Sequence, residues 1–173
     1  MVKKKRAVFF DRDGVLIEAP VIDGYPKSTQ KLQDIKICNG VRELCDELRK
    51  DFSLFIVTNQ PDVSRNINSK KNVDDINFFL KKELLLDDIF ICYCSEDKCE
   101  NRKPNPGMLF NAKKKYLINL EESYMIGDRW RDIDAANNAN CVSILIERGY
   151  KETLNSKPTY TIQKINEARK LIK

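Results

Sequence analysis

Short apolar runs alternate with amphipathic stretches along this chain. Runs rich in β-branched and aromatic residues predict five strands, at residues 7–10, 52–57, 89–92, 123–126 and 141–146. Between these runs, helical spacing of apolar positions and helix-start signals predict four helices, at residues 41–48, 69–85, 106–116 and from just after Asp128 to about Asn138. A last helix is expected near residues 162–172.

Strands separated by single helices are typical of βαβ units with right-handed crossovers. The pattern therefore predicts an α/β fold: a single Rossmann-like, three-layer domain over residues 1–173, with a mainly parallel sheet of about five strands. The segment between Gly14 and Gly40 has room for a loop but not for a helical cap domain. We therefore expect no large cap domain, and an open site whose specificity is set by loops.

Composition narrows the function classes. A chain of 173 residues with 42% hydrophobic and 33% charged residues is ordinary for a globular protein that buries a core. The net charge of +5 would help to attract anionic substrates, but the lysine runs at 3–5 and 113–115 lack interleaved aromatic residues and indicate no nucleic-acid site. The chain has no histidine, so acid–base chemistry must come from carboxylates, Lys, Tyr or Cys.

The expected location follows from what the sequence lacks. No stretch is long and apolar enough to span a membrane, and the N-terminus does not have the pattern of a signal peptide. We therefore expect a cytoplasmic protein, either a monomer or a weak homo-oligomer. Its six cysteines are then expected to be reduced thiols or metal ligands rather than disulfides.

Polar side chains stand just after four of the predicted strands. In chain order they are Asp11 and Asp13, then Thr58 and Asn59, then Lys103, then Asp128 with Asp132 four residues later. Each alone could be a turn, a helix cap or an exposed charge. Because ligands of open parallel sheets bind at the carboxyl ends of the strands, we expect all of them to face one crevice. Together they supply what phosphoryl transfer needs: a nucleophile, a metal site, hydrogen-bond donors and a cation.

Four of these stretches resemble the motifs of the haloacid dehalogenase (HAD) superfamily of aspartate-nucleophile phosphatases. They are Phe-Asp-Arg-Asp-Gly at 10–14, Val-Thr-Asn-Gln at 57–60, Arg-Lys-Pro at 102–104, and Ile-Gly-Asp at 126–128 with Asp132. The resemblance covers nearly the whole chain, and four motifs in the right order make it specific.

The resemblance implies a role for each motif. Asp11 would be the nucleophile that forms an aspartyl-phosphate, and Asp13 the general acid–base. Thr58 and Lys103 would hold the phosphoryl group. Mg²⁺ would be bound by the side chains of Asp11 and Asp128 and by the main-chain carbonyl of Asp13. Asp132 would lie beside these ligands.

Within the superfamily, the chain is similar to the branch of D-glycero-D-manno-heptose-1,7-bisphosphate 7-phosphatase and histidinol-phosphate phosphatase. The similarity rests on Asp-Arg-Asp-Gly at 11–14, Thr-Asn-Gln at 58–60 and Arg-Lys-Pro-Asn-Pro-Gly-Met at 102–108. It implies a Mg²⁺-dependent phosphatase acting on a sugar phosphate, foremost the 7-phosphate of heptose 1,7-bisphosphate in the synthesis of surface-polysaccharide (lipopolysaccharide) precursors. Histidinol phosphate is the alternative substrate, and a nucleic-acid 3′-phosphate is a more distant one. The alternative from another class of protein is a non-catalytic binding module with the HAD fold.

This branch also has a zinc loop just before Arg-Lys-Pro. The corresponding positions here are Cys92, Cys94, Cys99 and Asn101. Zinc accepts cysteine in place of histidine, but Asn101 stands in place of a thiolate and is a poor ligand. Three thiolates could hold a structural Zn²⁺ with water or a nearby acid as the fourth ligand, for which the candidates are Glu96, Asp97 and Glu100. The other interpretation is a site that has lost its metal.

Arginines near the motifs are candidates for binding the rest of the substrate. Arg65, Arg102 and Arg129 could grip a second anionic or polyhydroxyl group beside Thr58, Asn59 and Lys103. For Arg129, a solvated residue at a helix start is an equally good interpretation. Asn66 and Asn140 stand where this branch has glycine, and we expect a left-handed backbone at both, which Asn tolerates.

Overall fold

The computed structural model describes residues 5–173 and is built around a fully parallel sheet of six strands. The first half of the chain forms β1 (Ala7–Phe10), a hairpin of β2 (Val21–Ile22) and β3 (Tyr25–Pro26), α1 (Val41–Leu48), β4 (Ser53–Asn59) and α2 (Lys70–Glu83). The second half forms β5 (Asp88–Cys92), α3 (Gly107–Tyr116), β6 (Tyr124–Gly127), α4 (Trp130–Asn138), β7 (Val142–Ile146) and β8 (Tyr160–Ile162). Short 3₁₀ helices cover Leu32–Asp34, Leu120–Glu122 and Ile165–Lys170.

The strand order places β1 near the middle of the sheet. The order is β5-β4-β1-β6-β7-β8, so the chain builds outward from β1 on one side and then returns to build the other side with β6. This reversal is a topological switch point, where open α/β sheets bind their ligands at the carboxyl ends of the strands. The residues that follow β4, β1 and β6 therefore meet at one crevice.

Both faces of β1 are buried. Val8 and Phe10 belong to the core on one side of the sheet, and Ala7 and Phe9 to the core on the other side. Parallel strands that are covered on both faces require continuous apolar runs, which is why no polar residue interrupts 7–10. Helices α1 and α2 and the last 3₁₀ helix cover the first side, and α3 and α4 cover the second. The result is the predicted three-layer arrangement.

The C-terminal segment differs from the prediction. Of the helix expected near residues 162–172, the structure has a 3₁₀ helix at Ile165–Lys170, whereas Tyr160–Ile162 adds β8 in parallel to β7. The buried residues Ile162, Ile165 and Ala168 recur every three positions, which imitates an amphipathic helix in the sequence. However, Ile162 pairs with Ile146 at the edge of the sheet, so the sheet has six strands rather than about five.

Other predictions agree with the structure. Residues 11–40 contain only the hairpin β2–β3 and one 3₁₀ turn as regular elements, as expected for a protein without a large cap domain. Asn66 and Asn140 have φ angles of 58° and 53°, which confirms the left-handed backbone predicted for both. Among residues 5–173, no helix combines the length and apolar character needed to cross a membrane.

Candidate active site

The two acids that follow β1 are balanced by different cations. The Asp11 side chain is 11% exposed, and its Oδ1 accepts a hydrogen bond from Lys103 Nζ at 2.8 Å. The Asp13 carboxylate instead faces Arg12, whose Nε donates to Asp13 Oδ2 at 2.9 Å. Arg12 is fully buried, and its Nη1 donates to the side chain of Asn77 at 3.1 Å. The candidate nucleophile and the candidate acid–base are therefore held by separate charge pairs.

Two further donors fix the Asp13 carboxylate. The backbone N–H of Thr29 donates to Oδ1 at 2.8 Å, and the Gln60 amide donates to Oδ2 at 2.9 Å. The same Gln60 nitrogen donates to Thr58 Oγ1 at 2.9 Å. Because Thr58 accepts this bond, its own hydroxyl hydrogen remains available for an oxygen in the cleft.

Lys103 connects the loop that follows β5 to the strands. Its side chain is 2% exposed, and Nζ donates three hydrogen bonds: to Asp11 Oδ1 at 2.8 Å, to the Val57 carbonyl at 2.8 Å and to Asp132 Oδ1 at 2.6 Å. Burial alone would lower the pKa of Lys103, but the charges of Asp11 and Asp132 raise it, so the ammonium group stays charged.

Asn59 holds the backbone of that lysine. Its Nδ2 donates to the Lys103 carbonyl at 2.9 Å, and its Oδ1 accepts from the Lys103 N–H at 3.0 Å. These two bonds join the end of β4 to the loop 44 residues later in the chain. Asn59 lines the cleft, but its contacts show it primarily as the residue that positions Lys103.

Three buried carboxylates form a candidate cation site. Asp11, Asp128 and Asp132 offer oxygen atoms that lie within 4.8 Å of one another, and no other such group occurs among residues 5–173. Burial, followed by the charges of Asp11 and Asp132, raises the pKa of Asp128 well above its usual range. Burial also raises the pKa of Asp132, although Lys103 opposes this. One ammonium group does not balance three carboxylates, so the cluster favours a divalent cation with oxygen ligands.

Two glycines make room for these carboxylates. A Cβ atom at Gly14, whose φ is +85°, would lie 1.8 Å from Asp128 Oδ2. A Cβ atom at Gly127 would lie 2.1 Å from the Cβ of Asp132. Any larger residue at either position would displace an acid from the cluster.

A cleft lies in front of this group, at the carboxyl ends of the strands. It is lined by Asp11, Asp13, Pro26, Lys27, Ser28, Thr58, Asn59, Lys103, Arg129, Arg131 and Asp132. Six residues predicted as catalytic or substrate-binding therefore meet in one place: Asp11, Asp13, Thr58, Asn59, Lys103 and Arg129.

The predicted arginines behave differently from one another. The Arg102 side chain is buried under the cysteine loop, where Nε donates to Asp97 at 3.3 Å and Nη1 to the Cys94 carbonyl at 3.0 Å. Arg65 faces Asp62, and neither Arg65 nor Arg102 lines the cleft. Arg129 lines it, but its guanidinium group is paired with Glu152 through Nε at 3.0 and 3.1 Å.

The sequence reasoning missed Lys27, Ser28 and Arg131. Lys27 is exposed at the foot of the hairpin β2–β3, and Asp23-Gly24 between short apolar segments is the hairpin signal that would have revealed this position. Arg131 lies in the first turn of α4, beside Asp132. Its Nη1 donates to Asp97 at 3.0 Å and to the Lys103 carbonyl at 3.3 Å.

The cysteine loop does not present the predicted zinc ligands. Cys94 and Cys99 are joined in a disulfide, because the loop brings their sulfur atoms together. The expectation of reduced cysteines is therefore wrong for this pair. Cys92 is a free, buried thiol. Two of the three candidates for a fourth ligand are paired with cations: Asp97 is bound by Arg102 and Arg131, and Glu96 lies 3.0 Å from Lys98. Asn101 accepts a hydrogen bond from Asn111 at 2.9 Å. With Cys94 and Cys99 paired to each other, only Cys92 of the three predicted thiolate ligands is free, and the structure does not support the predicted zinc site.

An aspartate after the central strand, a buried lysine bound to it and an adjoining carboxylate cluster are typical of hydrolases that form an aspartyl-phosphate. Comparisons with known proteins agree. A family profile described as HAD-hydrolase-like matches residues 100–168. D-glycero-alpha-D-manno-heptose-1,7-bisphosphate 7-phosphatase of Campylobacter jejuni is 34% identical over 149 residues, which cover 83% of each chain.

Two further comparisons extend this result. The histidine biosynthesis bifunctional protein HisB of Buchnera aphidicola is 31% identical over 82% of this chain and 41% of its own length. The crystal structure of D,D-heptose 1.7-bisphosphate phosphatase from B. bronchiseptica, complexed with magnesium and phosphate, has a TM-score of 0.80 at 24% identity and covers 96% of this chain and 97% of its own. The chain belongs to the HAD superfamily of phosphatases, in the branch that contains the heptose-1,7-bisphosphate 7-phosphatases and HisB. The predicted family and the predicted fold class are thereby confirmed.

Proposed function

We propose that this protein is a Mg²⁺-dependent phosphatase that removes the 7-phosphate of heptose 1,7-bisphosphate through an aspartyl-phosphate intermediate. The observation that carries the proposal is the contact of Asp11 with Lys103 beside a buried carboxylate cluster, at the base of a cleft. The substrate is supported by the name of the Campylobacter jejuni relative, which matches most of both chains. The product would serve the synthesis of surface-polysaccharide precursors in the cytoplasm.

Asp11 is the proposed nucleophile. Lys103 binds Oδ1 and leaves Oδ2 available to attack phosphorus. A bond then forms between Asp11 and phosphorus as the bond from phosphorus to the sugar oxygen breaks. The Thr58 hydroxyl donates a hydrogen bond to a phosphoryl oxygen, and the Lys103 ammonium group stabilises the negative charge that develops on the phosphoryl group.

Asp13 is the proposed acid and base. It gives a proton to the departing sugar oxygen, and then takes a proton from the water that attacks the aspartyl-phosphate. This second step releases phosphate and restores Asp11. Arg12, Gln60 and the Thr29 N–H hold the Asp13 carboxylate in one orientation, so the same group serves both steps.

Magnesium fits the carboxylate cluster. Asp11, Asp128 and the main-chain carbonyl of Asp13 would hold the ion. Both oxygens of Asp132 are already bound, Oδ1 by Lys103 and Oδ2 by the Arg129 N–H at 3.1 Å, so Asp132 supports the site from beside it. When bound, the ion neutralises charge on the transferring phosphoryl group.

The cations at the rim are proposed to bind the phosphate that is not transferred. Lys27, at the foot of the hairpin β2–β3, and Arg131, in the first turn of α4, both line the cleft, and a second phosphate on the substrate is the group that two such cations favour. Arg131 also pairs with Asp97, but that carboxylate is exposed to solvent and can be exchanged for a phosphate. Arg129 is neutralised by Glu152, and Arg65 and Arg102 lie outside the cleft. The roles predicted for these three arginines are therefore not part of the proposal.

The test is phosphate release from a panel of phosphoesters, with Mg²⁺ and with EDTA. The panel contains both anomers of heptose 1,7-bisphosphate, histidinol phosphate and a generic aryl phosphate. We expect Mg²⁺-dependent turnover with the highest kcat/KM on a heptose bisphosphate, and a loss of roughly 10⁴-fold or more in Asp11→Asn. Asp51→Asn, at an exposed acid outside the cleft, is the matched control and should keep full activity.

Each result separates the alternatives. Activity that survives Asp11→Asn refutes the aspartyl-phosphate mechanism. A preference for histidinol phosphate supports the second candidate, which the likeness to HisB favours. No turnover on any substrate would support a non-catalytic module, against which the presence of all five motif residues argues: Asp11, Asp13, Thr58, Lys103 and Asp128.

A further inference from the structure

The two oxygens of Asp128 have different surroundings. Oδ2 accepts a hydrogen bond from the Tyr150 hydroxyl at 2.8 Å. Oδ1 is buried, and no group among residues 5–173 donates a hydrogen bond to it. A buried carboxylate oxygen without a donor is unfavourable and rare in folded proteins. Since Asp128 belongs to the carboxylate cluster, the free oxygen is the one that is left for a metal ion.

Tyr150 is carried by a segment that is tied to the site on both sides. Just before it, Arg148 donates from Nε and Nη2 to the Gly14 carbonyl at 3.0 and 2.8 Å. Just after it, the Lys151 N–H donates to the Gly24 carbonyl at 2.9 Å. The ring is half-buried, and its hydroxyl would lie 3.0 Å from a Cβ placed on Gly14. The hydroxyl is therefore anchored independently of Asp128.

We infer that Tyr150 is a positioning residue of the magnesium site, which fixes one oxygen of Asp128 and thereby directs the other toward the ion. The inference rests on the proposed function. The terminal torsion of an aspartate is broad and nearly two-fold, so packing alone does not select which oxygen faces the cluster. The Tyr150 hydroxyl donates to the Asp128 oxygen on its own side, and the absence of a side chain at Gly14 leaves the space in which Oδ2 and the hydroxyl meet.

The expected effect is on metal affinity. Removal of a partner that orients a metal ligand typically costs about 10- to 100-fold in affinity. Tyr150→Phe keeps the ring and removes only the hydroxyl, so we expect the dissociation constant for Mg²⁺ to rise about tenfold.

Calorimetric titration of the metal-free protein with Mg²⁺ tests this inference without turnover. Tyr160→Phe, at an exposed tyrosine on β8, is the matched control and should bind Mg²⁺ as the wild type does. Arg148→Ala, which loosens the same segment and keeps the hydroxyl, should weaken binding by a smaller factor. The melting temperature of each metal-free variant verifies that it is folded.

The inference is overturned if Tyr150→Phe binds Mg²⁺ within about twofold of the wild type, or if Tyr160→Phe is weakened equally. These results are distinguishable from a failure of the proposed function. A protein without phosphatase activity would still show whether Tyr150 controls the affinity for Mg²⁺.

Discussion

The buried ammonium group of Lys103 is the feature on which stability and activity should depend together. In Lys103→Met the side chain keeps nearly its length but loses its charge. Asp11 and Asp132 then lose a partner at 2.8 and 2.6 Å, inside a cluster that also contains Asp128. We expect the metal-free variant to be strongly destabilised, because buried carboxylates that repel one another remain without a cation.

The magnitude follows from the distances. At an effective dielectric constant of about 20, each ion pair is worth about 6 kcal/mol in attraction. Much of this offsets the desolvation of the ions, and breaking a buried pair by removing one partner typically costs about 3–5 kcal/mol. For a chain of this size, about 2–4 °C per kcal/mol converts this to a fall in Tm of roughly 6–20 °C.

The assay is thermal unfolding of metal-free and Mg²⁺-loaded protein. Mg²⁺ supplies positive charge to the same cluster, so it should raise the Tm of Lys103→Met by more than it raises that of the wild type. Lys115→Met is the matched control, because Lys115 pairs with Asp88 at 2.7 Å on the surface, where its side chain is 61% exposed. We expect no measurable change in the Tm of this control.

The fall in Tm of metal-free Lys103→Met should also depend on pH. The pKa values of Asp128 and Asp132 are raised by burial, so both groups favour folding when they are protonated. That contribution is complete in acid and is lost as the pH rises through the folded-state pKa. Lys103 opposes the rise in both pKa values, so its removal raises them further and enlarges what is lost at high pH. The fall in Tm caused by Lys103→Met should therefore be greater at about pH 8 than at about pH 5. A Tm that is unchanged in metal-free Lys103→Met, or a Mg²⁺ response equal to that of the wild type, would refute the reasoning.

Two further predictions concern the rim and the cysteine loop. Lys27→Ala and Arg131→Ala should each raise KM for heptose 1,7-bisphosphate about tenfold, because each loses a hydrogen bond to a charged group. The KM for an aryl monophosphate, which has no second phosphate, should stay unchanged. An equal rise in KM for both substrates would contradict a role in binding the second phosphate. The denatured protein should have four free thiols before reduction and six after it. Six thiols without reduction, together with one zinc ion per chain, would contradict the Cys94–Cys99 disulfide.

The central part of the site could be predicted because it depends on strand ends. Asp11, Thr58 and Asp128 follow or end three neighbouring parallel strands, and such ends necessarily meet at one edge of the sheet. Lys103 could be assigned from its motif, although its three hydrogen bonds depend on a loop whose path the sequence pattern does not specify.

The supporting residues could not be predicted for physical reasons. Arg12 is fully buried, whereas arginine is usually exposed, and only the contacts with Asp13 and Asn77 explain it. Arg148 and Tyr150 belong to an irregular segment after β7 that has no periodicity to interpret. Their contacts with Gly14 and Asp128 join parts of the chain that are 134 and 22 residues apart.

The hairpin β2–β3 lies outside the hydrophobic core, although the Gly24 carbonyl in its turn accepts a hydrogen bond from the Lys151 N–H, next to Tyr150. Val21, Ile22 and Tyr25 are about half exposed, and none of them belongs to either side of the core. Its foot nevertheless brings Lys27 to the cleft. A change of sequence here costs the core little, so this hairpin can diverge or be replaced while the phosphoryl-transfer groups remain intact. Substitutions at its exposed positions should therefore change the surface beside the cleft without disturbing the packing of the buried carboxylate cluster.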